Sequence, residues 1–550
     1  MSFLRLAWSK KSGLILFLIL YFFALSWRLL PLLQESGWEH DSGWILGLAR
    51  NWGEKGIYAS FINTNQKPGY GAGKSIYQRW SLQDEKGFSY FPAAITVGPG
   101  YSLVEGLLIH FFGFSFWVSR LGPLLSFALL LFLALILSFF LAGKWGLLFF
   151  ALWFWLYPSF WVNFVADSFA ENWATLYLLS ALLLYFYARA KKIYELTILA
   201  GIFSAAAILT KNITAVAFIF FLPAELISIL KKSKEKLPFS LLFLTTLGLI
   251  LSWFLYRELT LFTLFGGEGL KAAAQDQSLF FFPASGLDRL ARPKIIIQQI
   301  PAKLNFWREI GFRLPLWGWL FFIFLPLIRS SFSSWQKTVF LYLWGISAAF
   351  LLWYLLFSPS GRVRHLWPAL FFLLILFSSL AGKIINFILY LGPAKSLPFL
   401  LFFTFFCWAL TDPLKLYPGR LRLAKINQWF LLHPYRFGQG LPFAPIIPLR
   451  AQEEAQKTIA TLPPDKPIFY LEPFLVAEMA TLSNRVFLPL RQSLFSPHSR
   501  RPFFLIFGPY QKGFLRQTRP NYYQEKIEQY CQGGKPLWAN NYYTLCQLKS

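Results

Sequence analysis

Residues 39 to 52 read EHDSGWILGLARNW and follow directly on an apolar run from 13 to 33. That run is long enough to cross a bilayer, so Asp41 falls where a membrane span ends and water begins. A carboxylate at this depth escapes most of the cost of a charge at the bilayer centre, yet stays within reach of a lipid-linked molecule. Asp41 is therefore the candidate reacting carboxylate, and the remaining chain is read as its support.

The chain has 550 residues, 56% of them hydrophobic, with mean hydropathy +0.48. This is more apolar sequence than a globular core uses, and it comes in runs, so the fold class is an α-helical polytopic membrane protein. The first run lacks a small-residue cleavage site and reads as a retained helix, not as a removed signal peptide. Lys and Arg number 52 against 25 Asp and Glu, a formal charge of +27. The basic residues mostly flank apolar runs, as topology signals do, which argues against nucleic acid as a partner.

Spans are expected at 14–33, 118–141, 145–162, 170–188, 195–212, 214–230, 237–256, 314–328, 337–357, 365–381 and 396–411, about eleven in all. The segment 98–117 is short and holds Glu105 and His110, so it is read as an amphipathic helix on the membrane surface. With that choice Arg5, Lys10, Lys11, Lys144, Arg189, Lys191, Lys192, the KKSKEK run at 231–236, Arg329, Lys337 and Lys383 all fall on one side. Positive charge marks that side, and the N-terminus, as cytoplasmic, placing the chain in the inner (plasma) membrane. Three stretches then face the periplasm or exterior. They are a large first loop at 34–117, a second loop at 257–312, and the tail at 412–550 beyond a membrane domain of 1–411. In the tail, KPIFYLEP, RVFLPL and RPFFLIFGP alternate with helical sequence, which predicts a small soluble α/β domain. Cys407 lies in the last apolar run; Cys531 and Cys546 pair as a disulfide in an oxidising compartment or stay buried thiols, and the sequence leaves both open.

The sidedness gathers distant polar residues on the outer face. Asp167, in NFVADSFAEN, lies in the loop between the third and fourth spans. Lys211, in ILTKNIT, ends the fifth, and Arg362, Arg364 and His365, in SPSGRVRHLWP, open the tenth. Each has a plainer reading. Asp41 is a solvated span end, Asp167 with Glu171 caps a helix, Lys211 forms a structural ion pair with Asp167, and Arg364 and His365 snorkel. A lone outward Lys between two apolar spans still runs against the charge rule and calls for a partner.

Five stretches carry a resemblance: HDSGWILGLARNW, TVGPGYSLVEGLLIHFFGFSFWVSRL, ADSFAENWATLYLLSALLLYF, AGIFSAAAILTKN and GRVRHLWPAL. In this order the chain resembles the multi-pass GT-C glycosyltransferases, in the branch of the protein O-mannosyltransferases and the bacterial lipid A aminoarabinose transferases. The resemblance covers about 1–411. It implies that Asp41 is the first-loop aspartate acting as base or acceptor-orienting group, and that Asp167 is the second-loop acidic position. It also implies that Lys211 is the Lys of a Leu-Thr-Lys motif and that Arg364 with His365 opens a late span near the donor phosphate. Two departures stand out: Ser42 follows Asp41 where Asp-Glu is frequent, and His365 replaces a tyrosine.

The implied reaction is transfer of a sugar from a polyprenyl-phosphate donor to a lipid, glycan or protein acceptor on the outer face, inverting the anomeric centre. Asp41 takes the acceptor proton, and Lys211 and Arg364 stabilise the leaving phosphate. Arg362, Lys74 and Arg79 are weaker phosphate candidates; Lys74, Arg79 and Glu171 are also candidate substrate-loop contacts. No Walker loop and no zinc-spaced His/Cys cluster is present, so no cofactor is read, and a divalent metal stays open where the resemblance would place one. The rivals are a transporter or lipid-linked sugar flippase and a scaffold that has lost activity. Transporters place polar groups near the midplane, whereas here span centres are almost free of charge.

Overall fold

The structure, a computed structural model, describes residues 11–62, 82–91, 98–156, 161–162, 164–165, 170–231, 236–276, 293–309, 332–358, 363–390, 420–425, 446–466, 468–471, 476–490, 503–509, 511–512 and 521–548. The expected spans at 314–328 and 396–411, with Cys407, lie outside these residues.

Helix α1 spans Lys11–Glu35 and is apolar all round. Leu25, Leu29 and Leu32 are buried while Ile15, Ile19 and Phe23 are exposed, the pattern of a helix at the rim of a bundle whose outer side meets lipid. After a short loop, α2 covers His40–Lys55; a small hairpin of β1 (Leu82–Gln83) and β2 (Ser89–Phe91) follows, then α3, Pro99–Phe112. At 14 residues α3 is about 21 Å long, too short to cross. It turns Tyr101, Glu105 and Ile109 into the protein and Phe111 and Phe112 outward. Its one acid, Glu105, thus faces the protein, while His110 is exposed.

Helix α4, Val118–Leu156, is a hairpin in disguise. Phe127 and Phe154 are 27 positions apart, about 40 Å along a straight helix, yet their rings are 5.6 Å apart. The reversal falls at Gly143, with φ 69° and ψ −157°, a conformation essentially reserved for glycine. No neighbour would touch a side chain there, so Gly143→Ala is expected to cost about 1–3 kcal/mol through backbone strain alone. Thermal unfolding in detergent measures it. The expected span at 118–141 and the part of the expected span at 145–162 that reaches Leu156 are the two arms of this hairpin.

The bundle continues with α5 (Glu171–Lys191), α6 (Glu195–Thr210), α7 (Ala217–Lys231), α8 (Lys236–Asp276), α9 (Pro293–Glu309), α10 (Ser334–Leu356) and α11 (Trp367–Tyr390). Among the described residues seven helical segments are long and apolar enough to cross, the α4 hairpin counted once; α6, at 16 residues, is shorter. Helix α8 runs past 257 to a break at Gly266, so the expected second loop at 257–312 opens in helical conformation. Helix α11 is the axis of the bundle, buried almost throughout from Trp367 to Gly382 against α4.

The charge sorting has a structural counterpart. Gln336 at the start of α10 donates to Phe140 O (2.6 Å) beside the Gly143 turn, and Asn386 late in α11 reaches Ala142 O (3.3 Å). Arg189 at the end of α5 pairs with Glu225 at 2.7 Å. Lys144, Arg189, Lys337 and Lys383 therefore sit at one end of the bundle.

The C-terminal layer is built from α12 (Leu449–Ala460), β3 (Ile468–Tyr470), α13 (Ala477–Ser483), β4 (Phe487–Pro489), β5 (Phe504–Phe507), α14 (Tyr522–Tyr530), β6 (Trp538–Ala539) and β7 (Thr544–Gln547). Its five strands run in the order β4-β3-β5-β7-β6, with β3 parallel to β4 and β5, and β7 antiparallel to β5 and β6. The run FLIF in β5 is buried on both faces, as a central strand must be. Cys531 and Cys546 form a disulfide between the end of α14 and β7, with Cα atoms 5.5 Å apart. Its loop of 15 positions makes it worth about 3 kcal/mol, so Cys546→Ser is expected to lower the melting temperature, and a reductant to do the same to the wild type.

This layer docks on the first loop. Phe487 N donates to Phe61 O (2.9 Å), Thr481 Oγ1 to Gly43 O (2.7 Å), and an Arg50 guanidinium nitrogen to Thr481 O (2.6 Å). Helix α2 is thereby held between α3 and α13.

Candidate functional site

The site forms where α2 begins, α5 begins, α6 ends and α11 is about to begin. Lys211 closes α6 in an extended conformation (φ −149°, ψ 104°), which turns the chain out of the helix before a 3-10 turn at Asn212–Val216. Its Nζ lies 2.7 Å from Glu171 Oε1. Glu171 occupies the first turn of α5, where the helix dipole favours an anion, and is only 2% exposed.

Arg364 sits in the 3-10 turn Val363–Leu366 that leads into α11. Its guanidinium lies 3.9 Å from Glu171 Oε1 and 3.9 Å from Glu39 Oε2. At that length neither contact is a close hydrogen bond, but both carboxylates stand within ion-pair distance of Arg364. Contacts at the end of α10 and the start of α11 lie on either side of this turn in the chain. Lys303 of α9, itself buried, donates to Tyr354 O (2.7 Å) and Leu355 O (3.0 Å), capping the last turn of α10. Trp367 stacks on Phe164 at 4.0 Å, and Asn172 donates to Phe164 O (2.8 Å). His365, half-buried, shares the turn.

Glu39 precedes α2 as its N-cap residue, and Gly43 N donates to Glu39 O (3.0 Å). Asp41 lies in the first turn of α2, within about 7 Å of Glu39 along the chain; its side chain is outside the described residues. Asp167, Lys74, Arg79 and Arg362 lie outside them too. Asp167 is four positions before Glu171, hence within about 14 Å of it.

Some buried polar groups find no hydrogen-bond partner among the described residues. They include Trp173 Nε1, two residues after Glu171 in sequence, and Thr210 Oγ1, next to Lys211 in sequence. Glu105 of α3 is fully buried; the Gly122 N–H lies against it as a weak partner, neither oxygen completes a hydrogen bond, and burial pushes its carboxyl well above the usual range. Such groups are rare in folded interiors and gather where polar ligands are handled.

The structure thus brings together Lys211, Glu171 and Arg364. Glu171, read from the sequence as a cap or loop contact, lies against Lys211; the expected pairing of Lys211 with Asp167 falls outside the described residues. Sequence reasoning missed Glu39 and Lys303. Glu39 stood in the stretch that opened the reading, two residues from Asp41; Lys303 carries no sequence signal. Among the described residues no three His, Cys, Asp or Glu side chains converge as a metal site would require.

No protein-family model matches the chain, and no curated protein matches it in sequence. Solved structures do match. The chain is similar to ArnT from Cupriavidus metallidurans bound to undecaprenyl phosphate, with TM-score 0.53 and 10% identity over 98% of each chain. It is likewise similar to the apo state of that protein, with TM-score 0.51 and 12% identity over 98% of each. A looser match, TM-score 0.49 and 14% identity over 92% of this chain and 70% of the other, is to the Archaeoglobus fulgidus oligosaccharyltransferase. The likeness to ArnT is one of fold, end to end, and that fold is the one expected of the aminoarabinose transferase branch.

Proposed function

We propose that the chain is a membrane glycosyltransferase that moves a sugar from a polyprenyl-phosphate donor to an acceptor at the outer face of the inner membrane. The observation that carries this reading is the joining of Lys211, Arg364, Glu171 and Glu39, from four segments remote in sequence, beside the start of the Asp41 helix. The shared fold with a structure that holds undecaprenyl phosphate supports a lipid-phosphate donor.

The chemistry follows from the charges. Cleaving the sugar–phosphate bond leaves a phosphomonoester whose extra negative charge needs cations; Lys211 and Arg364 supply two in a setting of low dielectric. At rest their charge is balanced by Glu171 and Glu39, so an entering phosphate competes with carboxylates already in place. Asp41 takes the proton of the attacking acceptor, and attack opposite the phosphate inverts the anomeric carbon. Asp167 orients the acceptor, Arg362, Lys74 and Arg79 add phosphate contacts, and residues 412–550 form an external domain over the site.

Purified protein in liposomes, given polyprenyl-phosphate-linked sugars labelled in the sugar, tests the reading. Free polyprenyl phosphate and a labelled acceptor are expected. Passage of the intact donor across the bilayer without cleavage would instead establish a flippase.

A further inference from the structure

The segment Ser36–Gly37–Trp38 joins α1 to the helix bearing Glu39 and Asp41, and its main chain is gripped from both sides. From the bundle, Arg120 of α4, 1% exposed, donates to Ser36 O, to Ser36 Oγ (2.9 Å) and to Gly37 O (3.5 Å). From the C-terminal layer, Ile447 O accepts from Gly37 N (2.6 Å). Gln452 of α12 completes the grip. Its Oε1 accepts from Trp38 N (2.9 Å) while its Nε2 donates to Trp38 O (2.6 Å). One side-chain amide thus satisfies both main-chain groups of a single residue, as a neighbouring strand would.

The amide is itself held. Its Nε2 also donates to the Tyr543 hydroxyl (3.1 Å), which donates to Glu478 Oε1 (3.0 Å) on α13. Gln452, Tyr543, Trp38 and Glu478 are all buried. An amide fixed at both ends in a buried setting has one orientation, and it transmits that orientation from Trp38 to the next residue, Glu39, and onward to Asp41.

We infer that Gln452 is a positioning residue for the site: the C-terminal layer, through this amide, sets where Glu39 and Asp41 stand against Lys211 and Arg364. The inference rests on the glycosyltransferase reading for its effect on turnover, but not for its effect on the backbone. Gln452 touches the carboxylate-bearing segment and neither cation. Its loss therefore acts on the chemical step and leaves the lipid phosphate bound.

Two variants approach the contact from opposite sides. Gln452→Leu removes the amide. Gly37→Ala introduces a Cβ that would stand 2.2 Å from Gln452 Oε1, pushing the amide off Trp38. In both, hydrogen exchange at the main-chain amides of 38–42 is expected to speed up at least about 10-fold, with the rest of the chain unchanged. Undecaprenyl phosphate should bind within about 2-fold of wild type, while kcat for transfer from a polyprenyl-phosphate-linked sugar falls about 10²-fold, the cost of a small misplacement of reacting groups. Should Gln452→Leu fail to fold, Gly37→Ala with Tyr543→Phe, which only loosens the amide, carries the test. Unchanged exchange at 38–42 in a folded variant overturns the positioning role whatever the activity. Faster exchange in the variants, together with a wild type that transfers no sugar, overturns the enzymatic reading and leaves the grip in place. Faster exchange with wild-type kcat overturns the link between the two.

Discussion

Asp41→Asn is expected to lose sugar transfer by about 10²–10⁴-fold, the range that a positioned general base contributes. The amide keeps the shape of the carboxylate but does not accept the acceptor's proton. Folding should survive, because α2 is secured by its other residues: Gly43 O accepts from Thr481, Arg50 spans to α13, and Asn51 donates to Ala59 O at 2.7 Å. Undecaprenyl phosphate should bind normally, since the cations are untouched. Transfer from a labelled donor, with melting temperature measured on the same preparation, checks this. An Asn variant that turns over at the wild-type rate removes Asp41 from the chemistry.

Lys211→Met is expected to do two things at once. Glu171 is 2% exposed and would keep, among the described residues, Arg364 at 3.9 Å. Leaving a buried carboxylate without its partner costs about 3 kcal/mol, the lower end for such pairs because Lys211 is partly exposed. Donor affinity should fall as well, by at least about 10-fold, as one phosphate cation is gone. Adding Glu171→Gln separates the effects: the buried charge disappears, so stability recovers, while donor affinity does not. A double variant that is stable and has the wild-type donor KM would reduce the Lys211–Glu171 pair to a structural ion pair. Thermal unfolding and donor titration on the two variants decide the matter.

Much of this arrangement is legible in sequence because a membrane imposes it. Apolar length marks α1, α5, α7 and α10, and basic flanks such as Arg189 and Lys337 sort the bundle's ends, since charge and hydrogen bonding have few solutions in lipid. The gathering of Lys211, Glu171 and Arg364 follows from that sorting. What stays hidden depends on angles within a turn. That Lys211 meets Glu171 depends on where the start of α5 stands against the extended residue that ends α6, which the sequence does not display. Glu39 passes for one more acid at a span end until Arg364 is seen beside it. Gln452 is invisible from the sequence: it is a glutamine in an ordinary amphipathic helix, and only the fold brings it to Trp38, 414 positions away. The reversal at Gly143 is similar, for GKWG reads as a loop of any geometry.

The central claim is that residues 41 and 211 border one site open to the outer face and occupied by a lipid phosphate. In a background with Cys407→Ser, single variants Asp41→Cys and Lys211→Cys can be treated with a membrane-impermeant maleimide on sealed vesicles of each orientation, with and without undecaprenyl phosphate. Both cysteines are expected to label from the same, outer side and both to be shielded by the lipid. Labelling from opposite sides, or shielding of neither, would contradict the account.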